Sequence, residues 1–290
     1  PNWGDTKYVL PSLLPEFAGN VDLIYIDPPF ATGADFSFVA EVGEERFEKE
    51  ASIIEQKAYR DTWGRGLDGY LQWFYETVVV VHELLSESGN FYLHIDSNLS
   101  HYLKMILDEV FGINSFQSEI IWQRTSSHND SRRWATVHDV LLFYAKSENA
   151  VWNDVFTDYD QEYIDNFYRY KDKRGVYRLD HIIRSQTMGA RPNLAYEFKG
   201  YKPEWGWRVS RDKLEALAAE DRLEWSSTGR PYLKRYLNEQ QGVPIKSVIT
   251  DIKVIGAQAV ERIGYPTQKP ESLLERIITS SSNESALVLD

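Results

Sequence analysis

The feature that most constrains this chain is the run Val21–Ile26 (VDLIYI), which ends in Asp27-Pro28-Pro29. Its apolar, β-branched residues predict a buried strand, and two prolines that cannot extend a ladder stop it. Downstream, Leu71, Phe74, Val78, Val81 and Leu85 follow helical spacing over residues 70–85. Ser88-Gly89-Asn90 then reads as a breaker before a strand at 91–95. Residues 99–111 predict a helix closed by Gly112, and 119–122 and 140–144 predict two strands around a polar loop. A helix over 271–280 and a strand over 287–289 finish the chain. Such alternation implies an α/β fold with a mostly parallel sheet, whose ligands sit at the carboxyl ends of strands.

Residues 145–260 break that rhythm. They are dense in Tyr, Trp, Arg, Gly and Pro, with one clear helix near 211–220, and read as an inserted second domain between 1–144 and 261–290. Charge divides along the same lines. Residues 1–120 carry 7 Lys/Arg against 20 Asp/Glu, residues 121–260 carry 22 against 19, and residues 261–290 carry 3 against 5. The net charge of −12 therefore sits mainly in the first third, and the middle is mildly basic and aromatic.

The absence of cysteine excludes disulfides, thiolate metal sites and any Cys nucleophile. The six histidines show no HExxH or tight ligand spacing, so they read as ordinary and no metal is expected. No apolar stretch approaches the roughly 18 residues that span a bilayer, and the first residues do not form a signal peptide. The expectation is a protein of the cell interior.

An Asp-Pro pair after a strand is also common turn punctuation, so the chemistry has to justify a functional reading. A carboxylate and a proline carbonyl can together accept both hydrogens of an exocyclic NH2, and the ring of Phe30 can stack on the base that carries it. Two such acceptors would localise a nitrogen lone pair that is otherwise delocalised into the base. Positioned acid–base help of this kind is worth about 10² to 10⁴ in rate.

With its neighbours, the motif resembles the DNA amino-methyltransferases, in particular the subgroup that includes type III modification subunits. The resemblance rests on VDLIYIDPPF (residues 21–30), Tyr59-Arg60-Asp61-Thr62-Trp63, FYLHID (91–96), IIWQRTSSHNDSRRW (120–134), HDVLLFYAKS (138–147) and ERIGYPTQKPESLLERII (261–278). It implies a Rossmann-like methyltransferase sheet, mostly parallel with an antiparallel hairpin, and a target-recognition domain in the middle of the chain. It also implies methyl transfer from S-adenosylmethionine to adenine N6 in a bacterial cytoplasm. Asp27, Pro28, Pro29 and Phe30 would be catalytic. Asp5, Asp27, Thr267, Gln268, Lys269 and Asp290 would meet the cofactor, and Trp63, Trp122, Arg124, Arg132 and Arg133 the target base or DNA. Double-stranded DNA is the expected partner, with a restriction subunit or a second copy of the chain as further candidates.

Several departures and alternatives bear on this reading. Similar proteins continue after LVLD with a glycine-rich turn whose backbone N–H groups hold the cofactor carboxylate. Here Asp290 is the last residue, so the chain by itself is expected neither to hold the cofactor nor to transfer methyl. Residues 64–69 match GxGxxG but follow no strand, and read as a loop beside the target base with Trp63 as its cover. C5-cytosine methylation needs a cysteine and is excluded. N4-cytosine methylation is the enzymatic alternative, although those enzymes more often carry Ser at the position of Asp27. Protein-glutamine methyltransferases, with Asn there, rank lower. A DNA-binding subunit without catalysis is the alternative from another class.

Overall fold

The structure, a computed structural model, describes residues 6–29, 38–42, 45–49, 66–125, 134–256, 258–263 and 267–290; for 38–42, 45–49 and Gly66 it describes backbone alone. The chain opens with helix α1 (Thr6–Phe17) and strand β1 (Val21–Ile26), followed by the hairpin β2 (Phe38–Val42) and β3 (Glu45–Lys49). Helix α2 (Gly66–Leu84), strand β4 (Leu85–Ile95), helix α3 (Ser100–Phe111) and strands β5 (Phe116–Gln123) and β6 (His138–Ala145) follow. Next come β7 (Phe156–Thr157), α4 (Gln161–Phe167), β8 (Tyr170–Asp172), β9 (Gly175–His181), α5 (Arg211–Ala219), β10 (Leu223–Trp225), β11 (Pro231–Tyr236) and β12 (Val243–Pro244). The chain closes with β13 (Val248–Ile249), α6 (Glu271–Ser281) and β14 (Val288–Leu289).

Contacts divide the chain into one unit of Pro1–Val155 with Ile245–Asp290 and a second of Phe156–Pro244. In the first, six strands lie in the order β13-β5-β6-β4-β1-β14. β1 runs parallel to β4 and β14, and β13 parallel to β5, whereas β6 is antiparallel to both β4 and β5. This is the expected α/β class: a parallel sheet into which the return strand of one hairpin is laced. β1 sits inside the sheet, so both its faces are covered and its sequence is apolar except for Asp22, whose carboxylate accepts from the Leu287 backbone at 2.9 Å. Ile24 joins Phe74, Val78, Leu93, Leu103 and Leu107 under α2 and α3. Leu23 and Tyr25 point the other way, to Trp122, Leu141, Phe143, Leu273 and Ile277 under α6.

Two boundaries differ from the expectation. β4 begins at Leu85, not at residue 91, because Val21 already pairs with Leu85 across a register shift. Lys146 closes the end of α2 there by donating to the carbonyls of His82 and Leu85 at 2.9 and 2.5 Å. Gly89 lies inside the strand, and any Cβ on it would come within 2.7 Å of Leu85. Residues 145–155 and 245–260, expected in the insert, largely join the sheet unit. β13 extends the sheet beside β5, and Asn153 donates to the Thr279 and Ser282 carbonyls at the end of α6.

The second unit carries an antiparallel sheet in the order β10-β11-β9-β8, packed with α5 around Ile182, Trp207, Leu214 and Leu223. Ser210 accepts a hydrogen bond from the Lys213 backbone at 3.4 Å and so caps α5. Lys234 is buried among Asp172, Asp221 and Glu224 at 3.4 to 3.6 Å, a cluster that neutralises a charge taken out of water. Among the described residues no helix is long and apolar enough to cross a membrane.

Asn90 is fully buried and its amide donates to Val151 O at 2.7 Å and Ser281 O at 2.9 Å, fastening β4 to two distant segments. Asn90→Ala removes the donor from one buried and one part-buried carbonyl and is expected to cost about 2 to 4 kcal/mol, read as a lower urea midpoint at unchanged m-value.

Candidate active site

The site is built where β1, β4 and β14 present their carboxyl ends. Asp27 follows β1 directly, and Pro28 behind it is buried. Lys269 stands two residues before α6 and places its ammonium 2.5 Å from Asp27 Oδ2. The same ammonium donates to its own loop at Thr267 O, 3.1 Å away. Asp290 follows β14, and its carboxyl is raised above the usual range, first by loss of solvation and then by the charge of Asp27, with Lys269 opposing. The Asp290 carboxyl therefore lies within electrostatic reach of both Asp27 and Lys269.

Below Asp27 a string of polar side chains crosses the apolar face. The Tyr25 hydroxyl lies 2.6 Å from His94 Nδ1, and His94 Nε2 lies 3.2 Å from Asp139 Oδ2. Asp139 Oδ1 meets Arg124 Nε as an ion pair at 2.9 Å, off hydrogen-bond alignment. Tyr25 is 4%, His94 0% and Asp139 2% exposed. Because a carboxylate can only accept, His94 Nε2 carries the proton, which leaves Nδ1 to accept from the Tyr25 hydroxyl. Burial lowers the His94 pKa more than the hydrogen bond to Asp139 raises it, so the ring stays neutral. Burial, followed by Asp27, Asp290 and Asp139, pushes the Tyr25 phenol far above its ordinary value.

Several expected site residues sit otherwise than the sequence suggested. Gln268 folds back: its Oε1 accepts from the Ile263 N–H at 3.0 Å and its Nε2 donates to Glu261 O at 2.7 Å, so its amide braces the loop. Trp122, expected at the target base, is 2% exposed and donates its indole N–H to Ile252 O at 2.9 Å, which makes it a core residue. Arg124, expected at DNA, is the partner of Asp139. Gly66 to Gly69 form the first turn of α2 in place of a loop. Asp5, Phe30, Trp63, Arg132, Arg133, Tyr265 and Pro266 lie outside the described residues. Tyr25, His94 and Asp139 were not among the expected site residues. All three lie inside the motifs that carry the resemblance, and Tyr25 stands two positions before Asp27, on the strand that Asp27 follows.

A family model described as DNA methylase matches residues 21–290. The chain belongs to this family. It also resembles known proteins along nearly its whole length. It is 30% identical to the Type II methyltransferase M.EcaI of Enterobacter cloacae, an alignment covering 99% of this chain and 60% of that protein. It is 25% identical to the Type III restriction-modification enzyme StyLTI Mod subunit of Salmonella typhimurium, covering 99% of this chain and 47% of that one. The methylase chain therefore spans about half to three fifths of the length of these relatives. Among solved structures it is similar to the M1.HpyAVI-SAM complex, with a TM-score of 0.33 and 16% identity over 55% of this chain and 60% of that one.

The hydrogen-bond pattern and the lowered pKa predict that His94 is still neutral, with its proton on Nε2, at about pH 6.5, where half of a free imidazole is charged. Ring nitrogen shifts in NMR check this, and an imidazole that titrates near the ordinary value contradicts it.

Proposed function

We propose that this chain is the catalytic part of a DNA methyltransferase that moves a methyl group from S-adenosylmethionine to N6 of an adenine turned out of the duplex. The observation that carries the reading is the Asp27 carboxylate at the carboxyl end of β1, with one oxygen held by Lys269 and Pro28 next in line. Lys269 fixes the carboxylate by one oxygen and leaves the other to accept one amino hydrogen. The Pro28 carbonyl is the second acceptor in this reading. Drawn by both, the amino nitrogen turns towards tetrahedral geometry, recovers its lone pair for in-line attack, and loses a proton once the methyl has arrived.

The charge of the site suits the cofactor. Asp27 and Asp290 outnumber Lys269, so the cluster is complementary to a ligand whose reacting centre is positive. When bound, S-adenosylmethionine supplies an electrophilic methyl on such a centre. By this reading Asp290, Lys269 and Thr267 would hold it, with Asp5 towards its adenine end. Adenine is preferred over cytosine N4 because Asp, not Ser, stands at position 27.

The second unit is the proposed reader of DNA, supported by its basic and aromatic residues and by its place between the two halves of the sheet unit in sequence. Double-stranded DNA is the proposed substrate, and a restriction subunit or a second copy of the chain a proposed partner, since two relatives are named as Mod subunits of restriction-modification enzymes. The bacterial cytoplasm is the proposed place of action.

In the intact protein, Asp27→Ala should abolish methyl transfer while leaving duplex affinity within about twofold, because the residue acts on the flipped amino group and not on the backbone. Radiolabelled methyl transfer beside a gel-shift titration reads both, and transfer within about tenfold of wild type removes Asp27 from this role. Phe30→Tyr should be mild and Phe30→Ala severe, since stacking on a base is worth about 1 to 3 kcal/mol. Duplex affinity should fall roughly a hundredfold or more between about 50 and 200 mM salt, as expected for about four neutralised phosphates. An affinity independent of salt would argue against a reading surface in the second unit.

A further inference from the structure

We infer that buried Tyr25, His94 and Asp139, with Arg124 at their part-exposed end, form a relay that positions Asp27 for the transfer, an inference that rests on the function proposed above. Its first ground is geometric. In the sheet, Tyr25 lies opposite Tyr92, His94 opposite Leu141 and Asp139 opposite Trp122. Each polar contact links one residue to the diagonal neighbour of its opposite partner: Tyr25 to His94, His94 to Asp139, Asp139 to Arg124. The string therefore crosses four adjacent strands in steps of two residues along the edge where Asp27 stands.

The second ground is energetic. The face it crosses is mostly apolar, with Leu23, Leu141, Phe143, Ile249, Ile252 and Leu273, and apart from the string it carries the Tyr92 hydroxyl paired with Ser281. Packing alone would be served more cheaply by leucine or phenylalanine, because a buried phenol, imidazole and carboxylate each have to be desolvated and then partnered. Here they are partnered in one direction only. Asp139 fixes the proton on His94 Nε2, which obliges Nδ1 to accept and so fixes the rotor of the Tyr25 hydroxyl. Trp122 closes the string from the side, its ring edge-on to His94 at 5.5 Å and its indole N–H anchored on Ile252 O.

The third ground connects the relay to the chemistry. Asp27 stands one residue beyond the end of β1 and two beyond Tyr25, so whatever holds the end of β1 holds the backbone that carries Asp27. Lys269 holds Asp27 by its carboxylate, and the relay holds the strand that carries it to β4, β6 and β5. None of the four is assigned contact with the target base or the methyl group. They are positioning residues whose loss lets Asp27 move. A misplacement of about 1 Å at a reacting group costs about a hundredfold in rate.

The test is steady-state methylation of duplex DNA by the intact protein and by Tyr25→Phe, Asp139→Asn and the double variant, with duplex affinity and thermal midpoint measured on each. Tyr25→Phe keeps the ring and Asp139→Asn keeps the volume, so duplex affinity is expected within about twofold of wild type and reports a folded protein. The expected result is a kcat lowered about 10- to 100-fold in each single variant with KM for DNA nearly unchanged, and a double variant no slower than the slower single. A merely structural role would lower the thermal midpoint and leave kcat per folded molecule alone. A kcat for Tyr25→Phe within about twofold of wild type, or losses that multiply in the double variant, would overturn the relay while leaving the proposed function standing. A wild-type protein that transfers no methyl to DNA would remove both.

Discussion

The ion pair between Asp27 and Lys269 joins residues 242 positions apart in the chain, and the candidate site exists only because the sheet brings them together. Asp27 is delivered by a central strand buried on both faces, and Lys269 by the loop that leads into α6. The pair is partly exposed, so its contribution to stability is small. Its weight is positional. It clamps one oxygen of a carboxylate whose other oxygen has to meet a base, and its positive charge opposes the rise that Asp27 imposes on Asp290.

The two layers of the first unit divide their labour. The face under α2 and α3 is packed with aliphatic and aromatic side chains and forms the larger of the two apolar clusters. The face under α6 is smaller and carries the Tyr25, His94 and Asp139 string at its active edge. A buried histidine that stays neutral and a phenol whose ionisation is suppressed give that edge fixed dipoles, with few mobile charges near the carboxylates.

Much of the fold was legible because its core elements obey one period each. The run at Val21–Ile26, the helical spacing that became α2, the Gly112 stop of α3 and the helix that became α6 were all legible from residue pattern. Less legible were elements whose local signals conflict with their tertiary place. α1 contains Pro11 and Pro15, which argue against a helix, yet Leu10, Leu13, Leu14 and Phe17 pack on the core. The start of β4 was hidden by Ser88-Gly89-Asn90, residues that punctuate turns but here sit in a register shift. For the site, Asp27 and Lys269 were readable from motif. The relay was not, because a lone Tyr, His or Asp on an apolar strand carries no signal until the neighbouring strand is known. Trp122 misled for the same reason: an aromatic in a basic segment suggests a base, and only the fold reveals its indole turned inward to Ile252.

The central claim is that this site methylates the amino group of adenine, and the modified bases of a host genome report it most directly. Sequencing methylated bases in cells with and without the intact gene should reveal N6-methyladenine at one short recognition sequence that disappears with the gene. A gene-dependent signal at cytosine N4, or no gene-dependent methylation of either base, would contradict the account.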